Sequence, residues 1–163
     1  MGLVELLIAM TILAVALLAL VAAFSSGALT LQRAGQTSTA SALANQQMEL
    51  YRALQYSAIQ LDSASVTTAN SDPVYTYGGA SPWSATQVTG SCPTVPPECN
   101  PTRTVPASSS PDKRPYRVDT YIVYETPAGG RQLKTVTVVV RDGENLAGKE
   151  LARTSSKFDQ ISG

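Results

Sequence analysis

One segment near the N-terminus constrains the fold of this chain more than any other feature. From Leu6 to Gln32 the sequence has no charged residue, and from Leu6 to Phe24 every residue except Thr11 is apolar. As a helix, these nineteen residues would be roughly 28 Å long, close to the bilayer hydrocarbon thickness of about 30 Å. We therefore expect a membrane-spanning helix. A cleaved secretory signal fits less well, because no basic residue precedes the apolar run and the run is longer than the apolar part of a signal peptide.

Charged residues lie mostly outside that segment. Glu5 and Arg33 are the charged residues among the first 48, although the whole chain has twelve basic and twelve acidic side chains. This asymmetry predicts an apolar helix attached to a hydrophilic head. Zero net charge without a basic cluster argues against nucleic-acid binding, and we interpret Lys113, Arg114 and Arg117 as a solvated loop and strand face.

The composition also argues against an enzyme. The chain has no histidine, which excludes nucleophilic triads that use imidazole and most transition-metal sites. Asp142 and Glu144 lie in a predicted turn rather than as a pair flanking a pocket. We therefore expect no catalytic site, no metal and no cofactor.

Glu5 is an acid at the edge of the apolar run. A carboxylate in an apolar environment is costly unless it is paired. The nearest positive charge in its own chain is the terminal amine, and a helix N-terminus also favours an acid. The alternative is that Glu5 lies among lipid headgroups as an acid of the first turn. Periodicity does not decide between a paired Glu5 and this alternative.

The first ten residues, Met-Gly-Leu-Val-Glu-Leu-Leu-Ile-Ala-Met, resemble the mature N-terminus of type IV pilins and the related pseudopilins. The shared pattern is a hydrophobic first residue, glutamate at the fifth position and an uninterrupted apolar helix. The resemblance implies that a prepilin peptidase removes a leader and that the amine of Met1 is methylated. It also implies a subunit that waits in the inner membrane until assembly machinery moves it into a homopolymeric surface filament. There, Glu5 would pair with the Met1 amine of a neighbouring subunit.

Two departures from the family pattern bear on the kind of subunit. Many pilins begin with phenylalanine and have proline near position 22, whereas this chain has Met1 and Ala22. The leading hypothesis is a major pilin, the structural subunit of an extracellular filament for adhesion, motility or DNA uptake. The alternative is a minor pilin or a type II secretion pseudopilin that initiates or caps a short filament. A third hypothesis is an adhesive module that binds through residues 73–115.

The fold expected from this resemblance and from the sequence pattern is α+β, with a long N-terminal helix packed on a small antiparallel sheet. Residues 1–28 would be the hydrophobic membrane or filament-core half, and residues 29–61 the amphipathic half of the same helix. Residues 62–115, with nine of the ten prolines, would be a connecting loop, and residues 116–163 the sheet. Without a proline at position 22, we expect the helix to loosen instead around Ser25, Ser26 and Gly27.

The amphipathic half has a face with helical spacing that should cover the sheet. Three apolar residues lie outside this face and could contact neighbouring subunits or be scattered surface residues: Met48, Tyr56 and Ile59. The face itself consists of Ala40, Leu43, Ala44, Leu50, Tyr51, Leu54, Ala58 and Leu61.

After Pro115 the apolar residues alternate with polar ones, which predicts strands. We expect a hairpin of residues 116–125 and 132–141 around a turn at 127–130, and a weaker third strand within 149–157. Val136, Val138 and Val140 would share the face toward the helix with residues of the first strand, namely Val118, Ile122 and Tyr124.

Two cysteines stand in the proline-rich segment. A bridge between Cys92 and Cys99 would close an eight-residue ring and would imply folding outside the cytosol. The alternative is a pair of reduced, buried thiols, which the flanking prolines disfavour. Tyr75, Tyr77 and Trp83 could pin this segment to the head, in contrast to a disordered linker.

Overall fold

The computed structural model of the chain describes residues 2–78, 87–92, 96–146 and 150–160, and for residues 77 and 78 it describes the backbone alone. The chain divides into two units, Met1–Gln36 and Thr37–Gly163. Helix α1, Leu3–Arg52, contributes to both. The other described elements belong to the second unit: a 3₁₀ turn Tyr56–Ala58, β1 Leu61–Asp62, α2 Ser63–Asn70, α3 Pro73–Gly78, β2 Thr89–Gly90, β3 Thr102–Val105, β4 Tyr116–Glu125, β5 Leu133–Asp142 and β6 Ala152–Phe158.

Helix α1 is unbroken where loosening was predicted. Residues 25–27 are helical, so the structure contradicts that prediction for the single chain. Ser25 Oγ donates a hydrogen bond to Val21 O at 2.9 Å, and Ser26 Oγ to Ala23 O at 3.0 Å. These hydroxyls bond to backbone carbonyls of the same helix and do not draw the backbone into another conformation. One glycine lowers the stability of a helix by only about 1 kcal/mol relative to alanine.

The head contains the predicted antiparallel sheet, with strand order β3-β4-β5-β6 among the described residues. β4 pairs with β5 along its whole length, with Val118 opposite Val140 and Ile122 opposite Val136. The predicted turn between them is confirmed, since the Gly130 N–H donates to Pro127 O at 2.9 Å. Gly129 has a φ of 73°, a conformation that glycine adopts without steric cost. The α+β class is therefore correct.

Two strands of this four-stranded sheet differ from the sequence prediction. β3 comes from the segment predicted as connecting loop, and it forms the edge of the sheet beside β4. Its four residues are too few and too close to prolines for their pattern to stand out from a loop. β6 spans Ala152–Phe158 rather than lying within 149–157, and it pairs with β5.

α1 ends at Arg52 and not at residue 61 as predicted. Beyond it, the Lys134 Nζ of β5 donates hydrogen bonds to Tyr56 O at 2.7 Å and to Ile59 O at 2.8 Å. The amine also lies 4.6 Å from the centre of the Tyr56 ring. Burial lowers the pKa of Lys134 from its ordinary value. A distant lysine thus binds one carbonyl of the 3₁₀ turn and the carbonyl of the residue that follows it, contacts that helical spacing alone could not predict.

The C-terminal part of α1 packs on one face of the sheet. The predicted helix residues Ala40, Ala44 and Tyr51 are buried there with valines of β5. Met48 and Ile59, predicted to lie outside this face, are each only 1% exposed and belong to the same cluster, so the predicted surface positions are wrong for both. Met48 fits because one turn separates it from Ala44 and Tyr51, which makes the buried face wider than predicted. Tyr124, predicted on the covered face, is exposed.

The opposite face of the sheet is also covered, by the segment that contains α2 and α3. Tyr75 stacks on Tyr121 with ring centres 4.5 Å apart, and Ala69 and Val139 complete this second cluster. The Tyr75 hydroxyl donates to Thr120 O at 2.9 Å, and the Tyr121 hydroxyl donates to Tyr75 O at 2.8 Å. The prediction that Tyr75 pins this segment to the head is therefore confirmed.

The other two aromatic residues predicted to pin the segment cannot be compared in the same way. The side chain of Tyr77 and the whole of Trp83 lie outside the described residues.

We predict that Met48→Ala lowers the free energy of unfolding of the head by about 2 to 5 kcal/mol, because it leaves a cavity between helix and sheet. Denaturant titration of the full chain in detergent micelles measures this change. Glu49→Ala at the adjacent exposed position is the matched control and should change stability by less than about 0.5 kcal/mol. Equal effects of the two variants would contradict the assigned packing.

Candidate functional site

The candidate site is the surface of α1 within the unit Met1–Gln36. Every large apolar side chain from Leu3 to Leu31 is between 53% and 78% exposed. By length and composition this helix could cross a membrane. Apolar surfaces much smaller than this one mark binding sites for proteins or membranes. Among the described residues of the head, in contrast, Tyr124 is the one large apolar residue that is exposed.

The apolar residues surround the helix on all sides. From Leu6 to Phe24 only Thr11 interrupts them, so no polar face is left to contact water. A helix of this kind is stable when it is surrounded by lipid or by other apolar helices. A partner that covers one side would leave the other sides in water. This segment therefore requires an apolar environment, either lipid or other helices, around its whole circumference.

The hydroxyl groups of this segment are already satisfied within the helix. Thr11 Oγ1 donates to Ile8 O at 2.8 Å, and Thr30 Oγ1 donates to Ser26 O at 2.9 Å. Ser25 and Ser26 bond in the same way, as described above. Their polar groups consequently cost little when water is removed, which suits an apolar environment.

Glu5 lies in the first turn of α1, and its backbone N–H donates to Gly2 O at 3.0 Å. Its carboxylate has no side-chain partner among the described residues. The positive end of the helix dipole favours an acid there, but by about 1 kcal/mol or less at an exposed position. An ionisable group beside a membrane-length apolar segment is a candidate functional group that calls for a cationic partner.

Met1 lies outside the described residues. Its processing, its methylation and its pairing with Glu5 therefore stay predictions.

The predicted disulfide is present in the head. Cys92 and Cys99 are bonded, with their Cα atoms 6.6 Å apart, and Cys99 is buried. The alternative of two reduced thiols is therefore wrong. A disulfide indicates an oxidising environment outside the cytosol, and the apolar helix indicates a membrane anchor or a secretion signal.

A buried charge network in the head was missed by sequence analysis. Asp119 is fully buried in β4; its Oδ1 accepts a hydrogen bond from Arg117 Nε at 2.7 Å, and its Oδ2 accepts one from Arg141 Nη1 at 2.6 Å. Arg117 Nη1 lies 2.6 Å from Asp72 Oδ2, and Arg141 Nη2 lies 3.2 Å from Glu150 Oε1. The network joins the segment before α3, two central strands and the residues before β6.

Arg117 was predicted to belong to a solvated face. This prediction is wrong, because Arg117 is only 9% exposed. Desolvation opposes ionisation of Asp72, but hydrogen bonds from Val74 N–H and Arg117 outweigh it and lower the pKa of Asp72. A signal for the network exists in the sequence. Arg117 and Asp119 share the strand face opposite Val118, and Arg141 reaches that face once the hairpin register is known. The charge alternation alone could not show that a second layer covers them.

No family model, no curated protein and no solved structure matches this chain. Its function is therefore inferred from its own residues.

We predict that Asp119→Asn lowers the free energy of unfolding by about 3 kcal/mol, because two buried guanidinium groups lose the carboxylate between them. Thermal and denaturant unfolding of the full chain in micelles would measure the loss. Glu49→Gln is the control, since Glu49 pairs with Arg52 on the surface and such pairs contribute about 0.5 kcal/mol or less. A loss for Asp119→Asn as small as for the control would show that the network does not stabilise the head.

Proposed function

We propose that the chain is a structural subunit of a surface filament, similar to a major type IV pilin, that polymerises through its N-terminal helix. The observation that carries the proposal is the exposed, all-round apolar surface of α1 with a lone acid in its first turn. The subunit would lie in the inner membrane before assembly, with its disulfide-bonded head outside the cytosol. The assembly machinery would then transfer the apolar helix from lipid into a bundle of identical helices.

Glu5 favours a polymer over a plain membrane anchor. An anchor needs only apolar length, and an acid at its edge contributes nothing to anchoring. In a bundle of identical helices, the same acid can meet the N-terminal amine of the next subunit. Attraction between the two charges is stronger there than in water, although desolvation offsets much of it.

The proposed assembly needs an external energy source. Burial of apolar surface drives association in water, but a helix in lipid is already away from water. Packing between helices is therefore the main gain that remains, and the pairing of Glu5 adds little net free energy to it. This balance fits extraction by a motor that hydrolyses ATP.

We predict that Glu5→Gln reduces the filament yield at least tenfold while the subunit remains in the membrane. The variant keeps the size of the side chain and removes the charge that would select the correct register. The measurement is the amount of subunit in filaments sheared from cells compared with the amount in membranes. Glu49→Gln, which removes an exposed acid of the second unit, should assemble normally. Normal assembly of Glu5→Gln would overturn the pairing.

A minor subunit that initiates or caps a short filament is the second candidate, and Met1 and Ala22 favour it. Abundance distinguishes the two. We predict that the chain is the dominant protein of sheared filaments and that its intact mass includes one methyl group on the Met1 amine. Trace amounts in the filaments would identify a minor subunit, and an unmodified terminus would contradict processing of the pilin kind.

A further inference from the structure

The Cys92–Cys99 ring binds two separate parts of the head through three consecutive backbone carbonyls. Gln47 Nε2 donates to Pro97 O at 3.1 Å, and the Tyr51 hydroxyl donates to Glu98 O at 2.6 Å. The Asp62 N–H donates to Cys99 O at 2.9 Å. The ring thus holds the last turns of α1 and the short strand β1 at the same place.

The donors on α1 are buried and depend on this contact. Gln47 is 1% exposed and Tyr51 is 0% exposed. A buried polar group that loses its partner destabilises the fold more than an exposed one, because water does not replace the bond. Burial also raises the pKa of Tyr51 to about 12. The two ring carbonyls therefore satisfy buried donors at this end of α1, in addition to its apolar contacts with the sheet.

The ring also reaches the start of α2. The Cys92 N–H lies 3.4 Å from Asp62 Oδ1, and Asp62 Oδ2 accepts hydrogen bonds from Ser65 N at 2.9 Å and from Ser65 Oγ at 2.8 Å. Asp62 is the N-cap of α2. The two cysteines thus lie at opposite ends of one set of contacts, with Cys92 at the cap of α2 and Cys99 beside the acceptors for α1.

From these contacts we propose that the disulfide is an oxidation-dependent clamp that docks the end of α1 and the start of α2 on the head. When the bond forms, the two thiols lose two electrons and two protons, and a disulfide-carrying oxidant accepts them and becomes a dithiol. Reduction by a dithiol reverses the step and releases the carbonyl-bearing segment. The clamp is independent of polymerisation, because all its contacts lie within the unit Thr37–Gly163.

Hydrogen exchange of the full chain in detergent micelles, with and without a small dithiol reductant, tests the clamp. Reduction should speed exchange about tenfold or more at residues 47–52 and 62–66, since a hydrogen bond lost from a buried donor has an effect of this size. The pairing between β4 and β5 should keep its protection, and the pKa of Tyr51 should fall toward its ordinary value. The double variant Cys92→Ser/Cys99→Ser is the matched control: it should show the fast exchange and not respond to the reductant, because the chain has two cysteines. Unchanged exchange at residues 47–52 after reduction would overturn the proposal.

A second measurement covers the case in which reduction destabilises the whole head. Tyr51→Phe removes one donor of the clamp and leaves the disulfide intact. It should reduce stability in the oxidised chain and have little effect in the Cys92→Ser/Cys99→Ser background, because the bond it removes is already lost there. Equal effects of Tyr51→Phe in both backgrounds would show that the disulfide and the helix contact are independent, and the clamp would be wrong.

Discussion

A helix without a polar face cannot remain in water, and this constraint determines how the rest of the chain must be built. The apolar side chains of α1 surround it from Leu6 to Phe24, so lipid or other helices must enclose it. In either environment the apolar segment does not stabilise the head, so the head must be stable without it. The head accordingly has its own core, in which the C-terminal part of α1 serves as one layer.

The central strands of the head are shielded on both faces. Residues 40–51 of α1 cover one face of β4 and β5, and the segment with α2 and α3 covers the other. The second layer contains charges as well as aromatic rings, and Asp119 lies at their centre. Because each buried charge there has a neighbour of opposite sign, the desolvation cost is offset locally. The segment that covers this face therefore depends on specific partners, whereas the first face depends on apolar contact.

The sequence predicted features that follow from local periodicity. The apolar helix, the β4–β5 hairpin and its turn rest on spacing and turn residues within short stretches, and the structure has all three. The chain path after α1 could not be predicted in this way, because the carbonyls of Tyr56 and Ile59 bond to Lys134, which is far away in the chain. The same holds for Arg117, whose burial depends on a layer that the proline-rich composition of residues 62–115 concealed. For the candidate site, the sequence identified Glu5 and its apolar surroundings, whereas the proposed pairing of Glu5 involves Met1, which lies outside the described residues.

If Glu5 pairs with a neighbouring amine, its main contribution is to select a register rather than to add stability. A correctly paired carboxylate and ammonium gain little net free energy after desolvation, so their presence changes the affinity of the correct arrangement only slightly. A shifted arrangement leaves both charges in apolar surroundings, at a cost of about 3 to 5 kcal/mol relative to the paired one. This difference corresponds to a population ratio between about 10² and several thousand. The apolar side chains of such a helix distinguish one axial position from the next less sharply, because a shift replaces one apolar contact with another. In the proposed filament, the lone acid would therefore supply the specificity that an otherwise uniform surface lacks.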